Sequence, residues 1–108
     1  MKIIIDECLP KRLNQLFTSY EVWTVPQIGL AGYNDTKLLN ELDKRSIDIF
    51  ITIDSNIEYQ QSFIGRDFGT IIIHSLTNRL SDLLHLEKEL KSAISEVSSG
   101  KIVHIPKK

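Results

Sequence analysis

Five short runs of apolar, largely β-branched residues recur along the chain, and they limit its fold more than any other feature. KIIID (2–6), EVWTV (21–25), DIFITID (48–54), GTIIIHS (69–75) and KIVHI (101–105) are each too short for a buried helix, and most are apolar at successive positions. A strand reads this way when both of its faces are covered, as in a parallel sheet packed between helices. The segments between them carry helical spacing. Leu13, Leu16 and Phe17 follow Pro10, which suits a first helical turn. Leu38, Leu39 and Leu42 follow Asn34 or Asp35, either of which makes a good N-cap. SNIEYQQSFI predicts a short helix, and Leu80, Leu83, Leu84, Leu86, Leu90 and Ile94 predict one long helix capped by Asn78 or Ser81. IGLAGYN (28–34), with two glycines and no period, reads as a loop.

Strand and helix alternating five times predict a three-layer α/β domain with a mostly parallel sheet of about five strands flanked by helices. A chain of 108 residues supports one such core, so a single domain over 1–108 is expected. Hydrophobic residues at 42% and charged residues at 25% are those of an ordinary globular protein. Thirteen basic against fourteen acidic residues leave a net charge of −1, so no global field draws in nucleic acid or an anionic membrane. Cys8 is the one cysteine, which excludes an internal disulfide, fits a reducing cytoplasm and suits packing at a strand-to-helix turn. No signal peptide is expected, because Asp6 follows an apolar start of three isoleucines, and no run approaches a membrane span.

In an open parallel sheet ligands bind beyond the carboxyl ends of the strands, where strand order reverses. Strand one ends in Asp6 and Glu7, strand three in Asp54 followed by Ser55 and Asn56, and the helix before strand three begins at Asp35. Singly, Asp35 reads as a cap and Asp54 as a turn residue. Asp6 is harder to explain that way, since an acid continuing an Ile-Ile-Ile strand needs partners or a cation to offset its desolvation. Jointly, three carboxylates at one edge repel unless a cation is present. Hard oxygen ligands suit Mg2+ or Mn2+, and such an ion could activate water and neutralise phosphoryl charge.

The segments MKIIIDECLPKRL, GLAGYNDTKLLNEL, FITIDSNI, GTIIIHSLTNRLSDLLHL and GKIVHI resemble the compact bacterial PIN-like proteins of the Mut7-C type, relatives of the VapC-type toxins. The resemblance spans nearly the whole chain and rests on the order of acids: Asp closing strand one, Asp opening the next helix but one, and Thr-x-Asp after strand three. It implies a metal-dependent ribonuclease fold in which Asp6, Asp35 and Asp54 are catalytic metal ligands, with Glu7, Asn56 and Glu58 as further candidates. The family frequently has an acid where Asn56 stands here, and larger relatives have another on an intervening helix. The resemblance also implies an RNA substrate, a small antitoxin partner (often a helix-turn-helix DNA-binding protein) and a homodimer.

Lys11, Arg12, Asn78 and Arg79 follow the ends of strands one and four and are the candidate RNA-phosphate contacts. Tyr33, beside Asp35, is the candidate stacking residue, whereas Trp23, mid-strand, is expected in the core. His74 and His104, within apolar strands, are expected to be packed, and His85 to lie on a helix surface. Two other readings compete. A receiver domain would use Asp6, Glu7 and a phosphoacceptor Asp54, with Ser75 as its hydroxyl residue, but needs a Lys ending strand five, where Ile105 precedes Pro106 and Lys107. An inactive interaction module with the same fold, masked by an antitoxin-like partner, would share this sequence pattern.

Overall fold

The computed structural model describes residues 1–106. Its five strands, β1 (Lys2–Ile5), β2 (Glu21–Thr24), β3 (Ile49–Thr52), β4 (Gly69–Ile73) and β5 (Ile102–Ile105), form one sheet in the order β2-β1-β3-β4-β5. Every pair is parallel, where a mostly parallel sheet was expected. Ile4 of β1 sits opposite Phe50 of β3 and Trp23 of β2, and Ile51 of β3 opposite Ile71 of β4. Isoleucine dominates the central strands because both of their faces are buried and a β-branched side chain packs well on a pleated surface.

Alternate residues feed two separate cores. Ile3, Ile5, Ile51, Ile71 and Ile73 pack on one side against Leu13, Leu16 and Phe17 and against Leu83, Leu90 and Ile94. Ile4, Phe50 and Ile72 pack on the other against Leu38, Leu39 and Leu42 of α1 (Asp35–Asp43) and Ile57 of α2 (Ile57–Gln60). The first face also carries α3 (Leu80–Leu83) and α4 (Glu87–Glu96). A three-layer sandwich follows. No helix among the described residues is long and apolar enough to cross a membrane.

Three expectations are corrected. The segment after Pro10 buries Leu13, Leu16 and Phe17 as its spacing predicts, but as a 3-10 helix, Lys11–Phe17. The long helix is broken: α3 and α4 are joined by the 3-10 turn Leu84–Leu86, Leu84 is 40% exposed, and Arg79 occupies the N-cap position. Trp23 is outside the core, also 40% exposed, because β2 is an edge strand with one face uncovered. Its indole Nε1–H donates to Glu21 Oε1 at 3.0 Å instead. Elsewhere the packing is close at Gly69, which opens the interior strand β4: an added Cβ there would lie 2.7 Å from Val97 Cγ2 and 2.9 Å from the Ser98 carbonyl oxygen.

These placements set an expected contrast in urea unfolding. Phe50→Ala removes a fully buried ring and costs about 3–5 kcal/mol. Trp23→Ala costs under about 1 kcal/mol, as edge-surface substitutions do. Equal costs would return Trp23 to the core.

Candidate functional site

The chain leaves β1 across one face of the sheet, through Lys11–Phe17, and reaches and leaves β3 across the other, through α1 and α2. The connections diverge, so a crevice opens at the carboxyl ends of β1 and β3, the switch point of a 2-1-3-4-5 sheet. Asp6 lies one residue past β1 and Asp54 two residues past β3. The Asp6 N–H still donates to the Ile51 carbonyl at 2.9 Å, so its position is set by the ladder.

Asp6 is 8% exposed, and three donors meet its carboxylate. Thr52 Oγ1–H donates to Oδ2 at 2.7 Å, Cys8 Sγ–H donates to the same oxygen at 3.4 Å, and the Glu7 N–H donates to Oδ1 at 2.9 Å. Burial pushes the Asp6 carboxyl above the usual carboxylate range, and these hydrogen bonds pull against that rise. Burial, followed by the neighbouring Asp6 charge, likewise pushes the Cys8 thiol up, so Cys8 is a packed donor. Thr52 Oγ1 also accepts the Asp54 N–H at 3.1 Å, and Asp54 Oδ1 accepts the Asn56 N–H at 3.0 Å. One buried hydroxyl therefore joins two of the acids. The role of Thr52 was carried in the sequence only as the first letter of Thr-x-Asp.

Asn34, and not Asp35, caps α1: its Oδ1 accepts the Lys37 N–H at 2.9 Å. The Asp35 carboxylate is thus released from the capping role and accepts no hydrogen bond among the described residues. It is half-buried in the first turn of α1, and its pKa is raised, first by desolvation, then by the charges of Asp54 and Asp6. Three acids from three separate elements share one electrostatic neighbourhood.

The remaining candidates divide. Glu7 adds its charge to the causes that raise the Asp6 carboxyl, while its Oε1 accepts the N–H of Gly32 at 3.2 Å and so pins the 28–34 loop, which Gly32 turns at φ 79°. Glu58 is paired with another side chain, its Oε1 3.0 Å from His104 Nε2. Asn56 presents its backbone to Asp54, and its side chain makes no cap. Asn78 Nδ2 donates to the Cys8 carbonyl at 3.0 Å, tying the loop after β4 to the turn after Asp6. That bond commits Asn78 to structure, while Arg79, Lys11 and Arg12 remain exposed around it. Tyr33 is exposed, with Lys37 Nζ 5.6 Å from its ring centroid. His74 and His104 are half-buried and bonded to each other, so they are packed as expected. A groove of about 400 Å3 lies between α4 and the edge strand β5, lined by Glu89, Glu96, Val103 and Ile105 among others, and none of the three acids lines it.

Hard carboxylate oxygens that repel one another fit a divalent cation chemically. Among the described residues no group of three His, Cys, Asp or Glu side chains closes to a direct ligand sphere. Mg2+ keeps several waters and needs only one or two direct carboxylates, so the wider spacing of Asp6, Asp35 and Asp54 still suits it. The chain matches no family model, no curated protein and no solved structure.

Two substitutions test the electrostatics without any reaction. Because the folded Asp35 pKa is raised, its stability contribution is complete below the unfolded carboxylate range and is lost as pH rises through the folded value. Asp35→Asn therefore raises stability by roughly 0.5 kcal/mol at neutral pH, a gain discounted for solvent screening that fades towards acid. A gain of equal size at every pH would refute the charge origin. Thr52→Val, which leaves Oδ2 of Asp6 without its closest donor, costs about 1–3 kcal/mol in thermal or urea unfolding.

Proposed function

We propose that this chain is a Mg2+- or Mn2+-dependent endoribonuclease, the toxin component of a cytoplasmic toxin–antitoxin pair. The observation that carries the reading is the convergence of Asp6, Asp35 and Asp54 at the switch point, with Asp35 free of the capping role that would explain it away. The cofactor, when bound, supplies charge neutralisation at a phosphoryl oxygen and an activated water. The chain's own residues do the placing. Thr52 holds Asp6 in one orientation and fixes the start of the Asp54 turn, so the two carboxylates keep a constant relation. Asn34 fixes the first turn of α1 and with it Asp35. Arg79, Lys11 and Arg12 are exposed cations that would meet flanking phosphates, and Tyr33 offers an exposed ring for a base. The small antitoxin, of helix-turn-helix type, and a homodimeric state belong to the same proposal.

Asn56 favours a second reading. It stands where the resembled family frequently has an acid, so this position offers no carboxylate to a cation. On that reading the fold is kept as an interaction module whose acidic edge an antitoxin-like partner covers. The receiver reading gains the strand order, which receivers share, but β5 ends in Ile105 where a Lys is required, and Asp35 has no part in it. Lys107 lies outside the described residues.

The deciding assay is cleavage of a mixed RNA pool by the purified, partner-free protein with Mg2+ or Mn2+, beside Asp6→Asn and Asp54→Asn. Metal-dependent cleavage is expected, reduced about 10²-fold or more in each variant. A folded wild type that cleaves nothing with either ion would transfer the argument to the interaction module.

A further inference from the structure

The carboxyl edge holds a second recess, beyond the ends of β1 and β2, the pair on the other side of β1 from β3. It is a cavity of about 350 Å3 lined by Glu7, Leu9, Lys11, Thr24, Pro26 and Gln27. Leu9 and Thr24 are buried, whereas Glu7, Lys11, Pro26 and Gln27 are exposed. Leu9 and Pro26 give it apolar surface, and the other four give it polar groups.

Two of those polar side chains are braced by one oxygen and leave their other terminal atom unused. Gln27 Oε1 accepts the Thr24 N–H at 2.8 Å, and Thr24 Oγ1 accepts the Gln27 N–H at 3.3 Å, so a reciprocal pair fixes the amide. Only the oxygen of an amide can accept from a backbone N–H, so Nε2 is the free end. It donates to nothing among the described residues. Glu7 Oε1 accepts the Gly32 N–H at 3.2 Å, and Oε2 has no partner among the described residues. The Lys11 ammonium likewise makes no hydrogen bond or ion pair there. Covering the Thr24 N–H at the sheet edge accounts for one end of Gln27, and pinning the 28–34 loop accounts for one end of Glu7. Neither task accounts for the atoms left over.

A braced amide donor, a braced carboxylate acceptor and apolar surface match the edge and face of a nucleobase, and the volume falls at the small end of ligand-sized cavities, about 300–1,000 Å3. The bases differ in what they offer. Guanine presents an acceptor, O6, beside two donors, N1–H and its 2-amino group. Adenine and cytosine turn a ring-nitrogen acceptor towards the place where the carboxylate needs a donor, and uracil has one donor where guanine has two. We propose that this cavity is a guanine-selective nucleotide subsite. Gln27 Nε2 donates to O6, the Glu7 carboxylate accepts from N1–H and the 2-amino group, and Lys11 binds the phosphate of the same nucleotide. Selectivity arises because a wrong base leaves the braced groups unpaired. Glu7 directly follows Asp6, so a guanosine held here lies next to a phosphate at the acids. That placement within an RNA strand rests on the ribonuclease reading; the recognition of guanine does not.

The test is an amide NMR titration of the intact protein, without metal, using 5′-GMP, 5′-AMP, 5′-CMP and 5′-UMP as probes. Saturable shifts are expected at Glu7, Leu9, Lys11, Thr24 and Gln27 with 5′-GMP, and binding roughly tenfold weaker or more with 5′-AMP and 5′-CMP. Gln27→Glu keeps the oxygen that Thr24 needs and removes the donor to O6. Glu7→Gln keeps the oxygen that Gly32 needs and sets an amino group against the guanine donors. Each variant preserves its brace, and each is expected to weaken 5′-GMP roughly tenfold. No saturable shift with 5′-GMP, or shifts that miss these residues, overturns the subsite. Equal affinity for all four nucleotides, or 5′-GMP binding untouched by both variants, overturns the guanine assignment. A protein that binds 5′-GMP here but cleaves no RNA keeps this inference and loses the ribonuclease. One that cleaves RNA while 5′-GMP leaves these amides unshifted does the reverse.

Discussion

The hydroxyl of Thr52 donates to Asp6 Oδ2 across the β1–β3 pair, and the acidic edge is organised around that bond. A carboxylate at the end of an Ile-Ile-Ile strand loses most of its water, a cost of several kcal/mol unless donors replace it. Thr52 is the closest replacement, with the Glu7 N–H and the Cys8 thiol completing the set. The same oxygen of Thr52 accepts from the Asp54 N–H, so the position of the second acid depends on the first. A change at residue 52 would reach both carboxylates without touching either.

The sheet makes this geometry stiff. β1 and β3 are adjacent interior strands of the five-stranded order, covered on both faces, and Asp6 and Asp54 sit just beyond their last paired residues. α1 adds Asp35 from the side: its three leucines lock it to the second face, and the Asn34 cap aims its first turn at the crevice. The N-terminal end of that helix dipole partly offsets the charge of an acid in its first turn. Repulsion from Asp54 and Asp6 remains, which is the physical reason a cation would be welcome there.

Much of this was legible in the chain. Continuous isoleucine-rich runs alternating with leucine stripes specify a covered parallel sheet, because such a sheet buries both faces of its short strands. Asp6, Asp35 and Asp54 could be placed at one edge because strand ends and helix starts share a side in such a sheet. What failed did so for tertiary reasons. Trp23 looked like core because β-propensity does not reveal which strand is at the edge. The α3–α4 break was hidden because Leu84 and Leu86 keep helical spacing through a 3-10 turn whose direction is set by packing. The pairing of Glu58, a further candidate by resemblance, with His104 far along the chain was equally invisible in the sequence.

Composition and periodicity alone therefore determined the layer architecture, the parallel sheet and the three aspartates at its carboxyl edge, since these follow from local burial patterns. Strand order, the bond from Thr52 to Asp6, the release of Asp35 from capping and the Glu58–His104–His74 line were decided only in three dimensions. Each joins residues from different elements, up to 46 positions apart, and no spacing rule within one strand or helix encodes which distant hydroxyl or imidazole will arrive within hydrogen-bond reach.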